Sequence, residues 1–167
     1  KHLSGIPAPI VGLSWGFDLH TMIDASWLSS LQGLIVDSEA TAQIAGQAGV
    51  LAEAITMLPW GVDFSCFQPT GPLEDLTRWG VPEGAQTVLS LRAHETIYRV
   101  GDIVEGFAQA REDLPNTHLV IGHSGSLTNG LMAQAQRLGI GNKTHFIGSV
   151  PEGDLPALLR ASTLYVS

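Results

Sequence analysis

The sequence predicts an α/β protein built on parallel sheets. Three observations carry that reading. Apolar runs such as Leu34–Val36, Thr87–Leu91 and His118–Ile121 are continuous rather than alternating, the pattern of strands buried on both faces. Between them lie stretches whose apolar residues recur at helical spacing. The alternation is interrupted once, by Leu58–Pro69, which Pro59, Gly61 and Pro69 punctuate. Two α/β units are therefore expected, one on each side of that crossing.

The elements follow in order. Pro9–Ser14 is a short apolar run and is expected as a buried strand. Trp15–His20 is a loop. Leu34–Val36 is a second strand, after which Asp37 and Ser38 can cap a helix. That helix places Ala40, Ile44, Ala45 and Ala48 on one face and ends at Gly49. Ala54–Leu58 is a third strand, and strand, helix, strand in this order implies a parallel crossover. Beyond the crossing, Pro72–Trp79 is expected as a short helix stopped by Gly80. Thr87–Leu91 is a strand. Asp102–Arg111 is a helix with Ile103, Val104, Phe107 and Ala108 on its inner stripe. His118–Ile121 is a strand. Ser126–Leu138 is a helix with Leu127, Leu131, Met132, Ala135 and Leu138 inward. His145–Ile147 is a strand. Asp154–Ala161 is a helix that tolerates Pro156 in its first turn, and Leu164–Val166 closes the series. Trp60 and Trp79 are expected in core or hinge packing, and Cys66 as an inert filler beside Phe67.

Composition narrows the function. Of 167 residues, 44% are hydrophobic and 14% charged, and the formal charge is −8. An acidic chain lacks the basic footprint of a nucleic-acid binder, so any anion site must be a local cluster of donors. Cys66 is the single cysteine, which rules out an internal disulfide and fits a reducing compartment. The histidines show no H-E-x-x-H or H-x-H spacing, so no metal site is read. No apolar run is long enough to span a bilayer, and no signal-peptide pattern opens the chain. The first residue is not Met and the last run, Thr163–Ser167, is strand-like; an internal fragment of a longer protein is expected.

Ligands of open parallel sheets bind beyond the carboxyl ends of the strands. That rule selects Arg92–Thr96, Gly122–Ser126 and Gly148–Pro151. Arg92 follows a strand directly and can grip a phosphate with two permanent donors, or it can pair with Glu95 at the surface. The glycines of Gly122–Ser126 allow close backbone approach, and the helix that follows favours an anion at its N-terminus; a plain strand-to-helix turn is the alternative. His94 and His123 fall at the same rim, each as a phosphate or sugar donor or as a solvated loop side chain. Gly148–Pro151 offers free backbone groups for a flat heterocycle, or simply connects a strand to a helix.

In order along the chain, Leu34–Glu39, Leu58–Asp63, Phe67–Pro69, Leu89–Arg92, Leu119–Gly122 with Gly125, Phe146–Pro151 and Asp154–Pro156 resemble GT-B retaining glycosyltransferases, the large glycosyltransferase group 1 or family 4 type. The resemblance implies residues 1–62 as the end of an N-terminal, acceptor-side Rossmann-like domain. It implies 63–84 as an interdomain linker with a short helix, and 85–167 as an incomplete C-terminal donor domain, with a cleft between the domains. It also implies a nucleotide-diphospho-sugar donor, a glycan, lipid or small-molecule acceptor, transfer of a hexosyl group with retention, and no metal or other cofactor. Arg92 matches the arginine on the donor diphosphate. Arg99 stands near where many relatives carry Lys-Gly. Gly122, Gly125, Ser149 and Val150 complete the donor side, the last two flanking the nucleobase. Gly16, Asp18 and Gly61 fall on the acceptor side or the cleft, although Trp15 stands where relatives commonly have His. The family's Glu-x7-Glu motif would lie past Ser167, so no catalytic residue is named and the fragment itself is expected to be inactive. The expected location is cytoplasmic, with peripheral membrane contact by the parent left open. A GT-B-fold sugar-nucleotide epimerase and a non-catalytic sugar-nucleotide-binding module remain alternatives.

Overall fold

The computed structural model describes residues 7–16, 19 and 26–167. The chain divides into two compact units, Lys1–Val62 and Asp63–Ser167.

In the first unit, strands β1 (Val11–Ser14), β2 (Gly33–Val36) and β3 (Ile55–Met57) form a parallel sheet in the order β1-β2-β3. Val11 pairs with Gly33, and Leu34 with Ile55. Helix α1 (Glu39–Gln47) starts where the sequence predicts. Ser38 is its extended N-cap and its hydroxyl accepts the Thr41 amide at 3.3 Å, which satisfies one of the donors a helix start leaves unpaired. Leu28, Leu31, Leu34, Val36, Ala45 and Val50 form the core on one face of the sheet. Burying side chains such as Leu28 and Val36 contributes roughly 1.5–3 kcal/mol each.

Two expectations change here. The first strand begins at Val11 rather than Pro9, and it is not buried: Val11 and Leu13 are each 58% exposed, because only the face carrying Ser14 meets the core. On α1, Thr41 rather than Ala40 turns inward. Its hydroxyl can be buried because it donates to Asp37 Oδ1 at 2.8 Å, which removes the usual cost of an unpaired polar group.

In the second unit, β4 (Gln86–Ser90), β5 (Thr117–Gly122), β6 (Thr144–Gly148) and β7 (Leu164–Tyr165) form an all-parallel sheet in the order β6-β5-β4-β7. Both faces are covered, as continuous apolar strands require. Helices α2 (Val100–Ala110) and α3 (Thr128–Arg137) pack Val104, Phe107, Leu131 and Ala135 onto Leu119 and Ile121. Helix α4 (Leu155–Ala161) and the chain before β4 pack Leu158, Val81 and Trp79 onto Leu89 and Val120.

The expected helix over Pro72–Trp79 is only a 3-10 turn, Leu76–Trp79. The Asp75 carboxylate takes the Thr77 amide at 2.9 Å and starts the turn there. Gly80, at φ 82°, stops it as anticipated. Helix α3 is shorter than Ser126–Leu138, and Leu127 and Met132 lie outside its buried stripe, 39% and 45% exposed. Cys66 is exposed and fills no core. Trp60 is 66% exposed and meets the edge of Trp15 at 5.1 Å, within the first unit. Trp79 is half-buried in the second unit's core, with the Arg78 guanidinium 4.1 Å above its ring.

Candidate functional site

The parallel order brings the carboxyl ends of β4, β5, β6 and β7 to one rim of the second unit. Arg92 lies just past β4 and is exposed. Its Nη2 reaches Ser167 Oγ at 3.4 Å, past the end of β7, and its Cζ stands 5.6 Å from the centre of the Tyr98 ring. Among the described residues no carboxylate lies within ion-pair distance of it. The surface pairing with Glu95 is not formed, since that carboxylate is engaged elsewhere. A guanidinium held by a hydroxyl and an aromatic face keeps its charge uncompensated.

Glu95 instead accepts the Ser126 amide at 2.8 Å through Oε1 and the Ser126 hydroxyl at 2.6 Å through Oε2. These bonds hold its carboxyl below the usual range. The Leu127 amide donates to the His94 carbonyl at 2.9 Å, and the His94 amide donates to Ser124 O at 3.2 Å. The loop after β4 and the loop after β5 are thus stitched together. Gly125 makes this possible: a Cβ there would come within 2.6 Å of both the His94 carbonyl oxygen and Glu95 Oε1.

His94 is wholly buried, which corrects the solvated-loop alternative for it. Nε2 lies 3.1 Å from the Gly122 carbonyl and Nδ1 lies 2.8 Å from Thr128 Oγ1. A carbonyl only accepts, so Nε2 carries a proton, while the Thr128 hydroxyl beside Nδ1 also has the Gly125 carbonyl as an acceptor at 2.9 Å. Burial, the leading cause, pulls this imidazole below its ordinary pKa, so it is neutral at pH 7. The Phe146 ring meets it edge-on at 6.0 Å.

The Gly122–Ser126 turn is less open to an anion than its sequence implies. The His123 amide donates to Gly148 O at 2.6 Å and the Ser124 amide to His123 Nδ1 at 2.9 Å. The Gly125 amide donates to Thr128 Oγ1 at 2.9 Å, and Ser126 serves Glu95. Every amide from His123 to Leu127 is therefore satisfied internally, and a carboxylate of the chain itself holds the place the sequence offered to a ligand. Gly122 ends β5, where a Cβ would meet Leu91 Cδ2 at 2.6 Å. His123 is exposed and adopts φ 71°, a conformation that costs a non-glycine residue about 1–2 kcal/mol.

The third loop opens with Gly148 at φ 68°. Ser149 beside it is exposed, and Val150 is anchored on the Val81–Leu158 cluster. Arg99 stands apart from the stitched pair: it caps α2 from a left-handed conformation, φ 50°, and pairs through Nε with Asp102 at 2.6 Å. In the first unit, Gly16 has φ 87° and its Cβ would meet Thr41 Oγ1 at 2.9 Å, so that position takes only glycine. Gly61 is exposed with open space around it. Asp18 lies outside the described residues. The rim therefore gathers Arg92, Gly122, Gly125, Ser149 and Val150, and it adds His94 and Glu95 in a role that sequence reading did not identify. Their partners lie some 30 residues on, and no local spacing signals such a bond.

Among the described residues no cluster of three metal-ligating side chains exists, and no helix is long and apolar enough to cross a membrane. Among the described residues, what the rim offers an anion is the Arg92 guanidinium, which has no carboxylate partner.

Comparison with known proteins agrees with this architecture. No curated protein sequence matches the chain. Among solved structures, HepE from Anabaena in complex with UDP and glucose superposes with a TM-score of 0.73 at 19% identity, over 94% of this chain and 45% of its own. TarM from S. aureus, in complex with fondaparinux, α-GlcNAc-glycerol and UDP, gives 0.69 at 15% identity, over 96% and 32%. WaaG, a glycosyltransferase involved in lipopolysaccharide biosynthesis, gives 0.66 at 20% identity, over 81% and 37%. The chain thus spans less than half the length of these structures, and their fold is its fold: parallel Rossmann-like sheets of the GT-B kind. The family model for glycosyl transferases group 1 matches residues 74–167, more than half of the sequence. With β4 to β7 and the whole rim inside that match, the chain belongs to the glycosyl transferases group 1 family.

Proposed function

We propose that the rim of the second unit holds a nucleotide-diphospho-sugar donor, and that the protein transfers a hexosyl group from it, with retention, to a glycan, lipid or small-molecule acceptor. The observation that carries this reading is Arg92: a guanidinium at the carboxyl edge of a parallel sheet, without a carboxylate partner among the described residues, in an acidic chain. Bidentate Arg–phosphate contacts suit a diphosphate leaving group, whose developing charge a fixed cation stabilises. Ser149 and Val150 flank the base in this reading, and Arg99 is a further phosphate contact once it exchanges Asp102 for the ligand. Family membership supports the reading, as do the UDP complexes of HepE and TarM. On the acceptor side it assigns Gly16, Asp18 and Gly61, within residues 1–62, to the acceptor domain or cleft.

The test is calorimetric titration of the chain with UDP, GDP and ADP. Arg92→Ala should weaken the tightest of the three by about 1.5–3 kcal/mol, the range for a hydrogen bond to a charged group. Arg92→Lys should recover only part, since it lacks the fork. Equal affinities in Arg92→Ala and the parent would refute the donor-site assignment.

A further inference from the structure

We infer that His94 and Glu95 are positioning residues, a latch that fastens the loop carrying Arg92 to the first turn before α3 and so sets where the guanidinium points. The inference rests on the donor-site reading above and adds to it the two residues that make the grip rigid.

Arg92 is exposed, and among the described residues it makes only a long contact to Ser167 and a ring contact to Tyr98. Those contacts alone do not order its loop. The ordering lies immediately downstream. His94 is buried with both ring nitrogens bonded, one to the end of β5 and one to Thr128 at the start of α3. Its backbone amide and carbonyl bond Ser124 and Leu127. Glu95 spans the same gap with both carboxylate oxygens on Ser126. Two adjacent residues therefore place six hydrogen bonds on the stretch from Gly122 to Thr128, four of them on the loop itself, where a surface connection of this length usually meets water. The arrangement is more than a cap on α3. The carboxylate comes from another strand's loop, and Gly125 keeps a surface with which the His94 backbone is in contact. A loop fixed before binding loses less freedom when the ligand arrives, and a reacting group displaced by an ångström loses much of its effect.

Two readouts test this on the same protein: hydrogen exchange at the Ser126 and Leu127 amides, and affinity for the tightest of UDP, GDP and ADP. Glu95→Ala should lose protection at Ser126 and Leu127 and bind the nucleotide about three- to tenfold more weakly, with the urea midpoint little changed. Glu95→Gln should restore both, because the amide can accept from the Ser126 N–H and donate to its hydroxyl. A charge effect on the ligand would instead make Glu95→Ala bind more tightly, and that result overturns the proposal. So does lost protection with unchanged affinity, which would leave the stitching real but without influence on Arg92. If parent and Arg92→Ala alike fail to bind any of the three nucleotides, it is the donor-site reading that falls, and the exchange data still decide whether the loops are latched. His94→Ala leaves a cavity and can fail to fold, so Glu95 carries the test.

Discussion

Glycines separate the residues that geometry demands from those that sequence merely permits. Gly125 and Gly61 play like parts in the sequence, each a glycine in a connecting segment beside a motif. In the structure they differ. A methyl group at 125 would press within 2.6 Å of backbone, whereas at 61 it meets nothing within 4 Å and φ is not positive. Gly125→Ala should therefore cost about 1–3 kcal/mol, the range for forced overpacking. Gly61→Ala should be neutral or stabilise by up to about 1 kcal/mol through the unfolded chain. Urea unfolding of the two variants side by side checks the contrast, and equal midpoints would contradict it. The same scale shows what was legible. Arg92 could be found because the carboxyl-end rule concerns backbone order, which apolar runs reveal. His94 and Glu95 could not, because their function depends on partners about 30 residues away. A buried, doubly bonded imidazole and a solvated one have the same letter.

At the scale of elements, strand centres were legible and ends were not. Thr87–Leu91 and His118–Ile121 became Gln86–Ser90 and Thr117–Gly122, since apolar residues mark where a strand is buried, not where its last backbone bond forms. Helices departed where a polar side chain or a left-handed residue intervened: Asp75 shortened one to a single turn, and Arg99 at φ 50° set the start of α2. Helix α4 is the element most dependent on packing. It has 7 residues, with Pro156 in its first turn, too short to persist alone in water. Its hold is Leu158, wholly buried against Val81, Leu89 and Val120. Leu158→Ala should cost about 2–5 kcal/mol and release α4 before the strands it covers. Exchange of α4 amides ahead of β5 amides in that variant, with β5 protected in the parent, is the expected signature. Simultaneous exchange would show that α4 and the sheet open together.

Over the whole molecule, the titratable groups that the fold perturbs divide unevenly between the two units, and pH exposes the division. The groups with displaced pKa among the described residues all lie in Asp63–Ser167. His94, His118 and His145 are lowered from 6.5, chiefly by burial. Asp63, Asp75 and Glu95 are lowered from 3.8, 3.8 and 4.5, chiefly by side-chain hydrogen bonds. His118 and His145 are linked: His145 Nδ1–H donates to the Trp79 carbonyl at 3.0 Å, so its Nε2 is bare and accepts from His118 Nδ1–H at 2.8 Å. Both rings therefore stay neutral in the fold. As pH falls through 6.5 the unfolded chain takes up protons that the folded one refuses, so stability is full above that value and declines below it. The carboxylates add to the loss only as pH approaches 4.5 and below. Between pH 7 and pH 5 the histidines alone should lower the stability of the second unit. Trp79 is the single tryptophan of residues 63–167, while Trp15, Trp27 and Trp60 lie in 1–62. With those three changed to Phe, the urea midpoint reported by Trp79 fluorescence should fall steadily from pH 7 to pH 5, and His145→Gln should flatten part of that slope. A midpoint that holds level or rises on acidification would mean that the imidazoles charge freely in place, and that the histidine bonds at both ends of the sheet do not hold in solution.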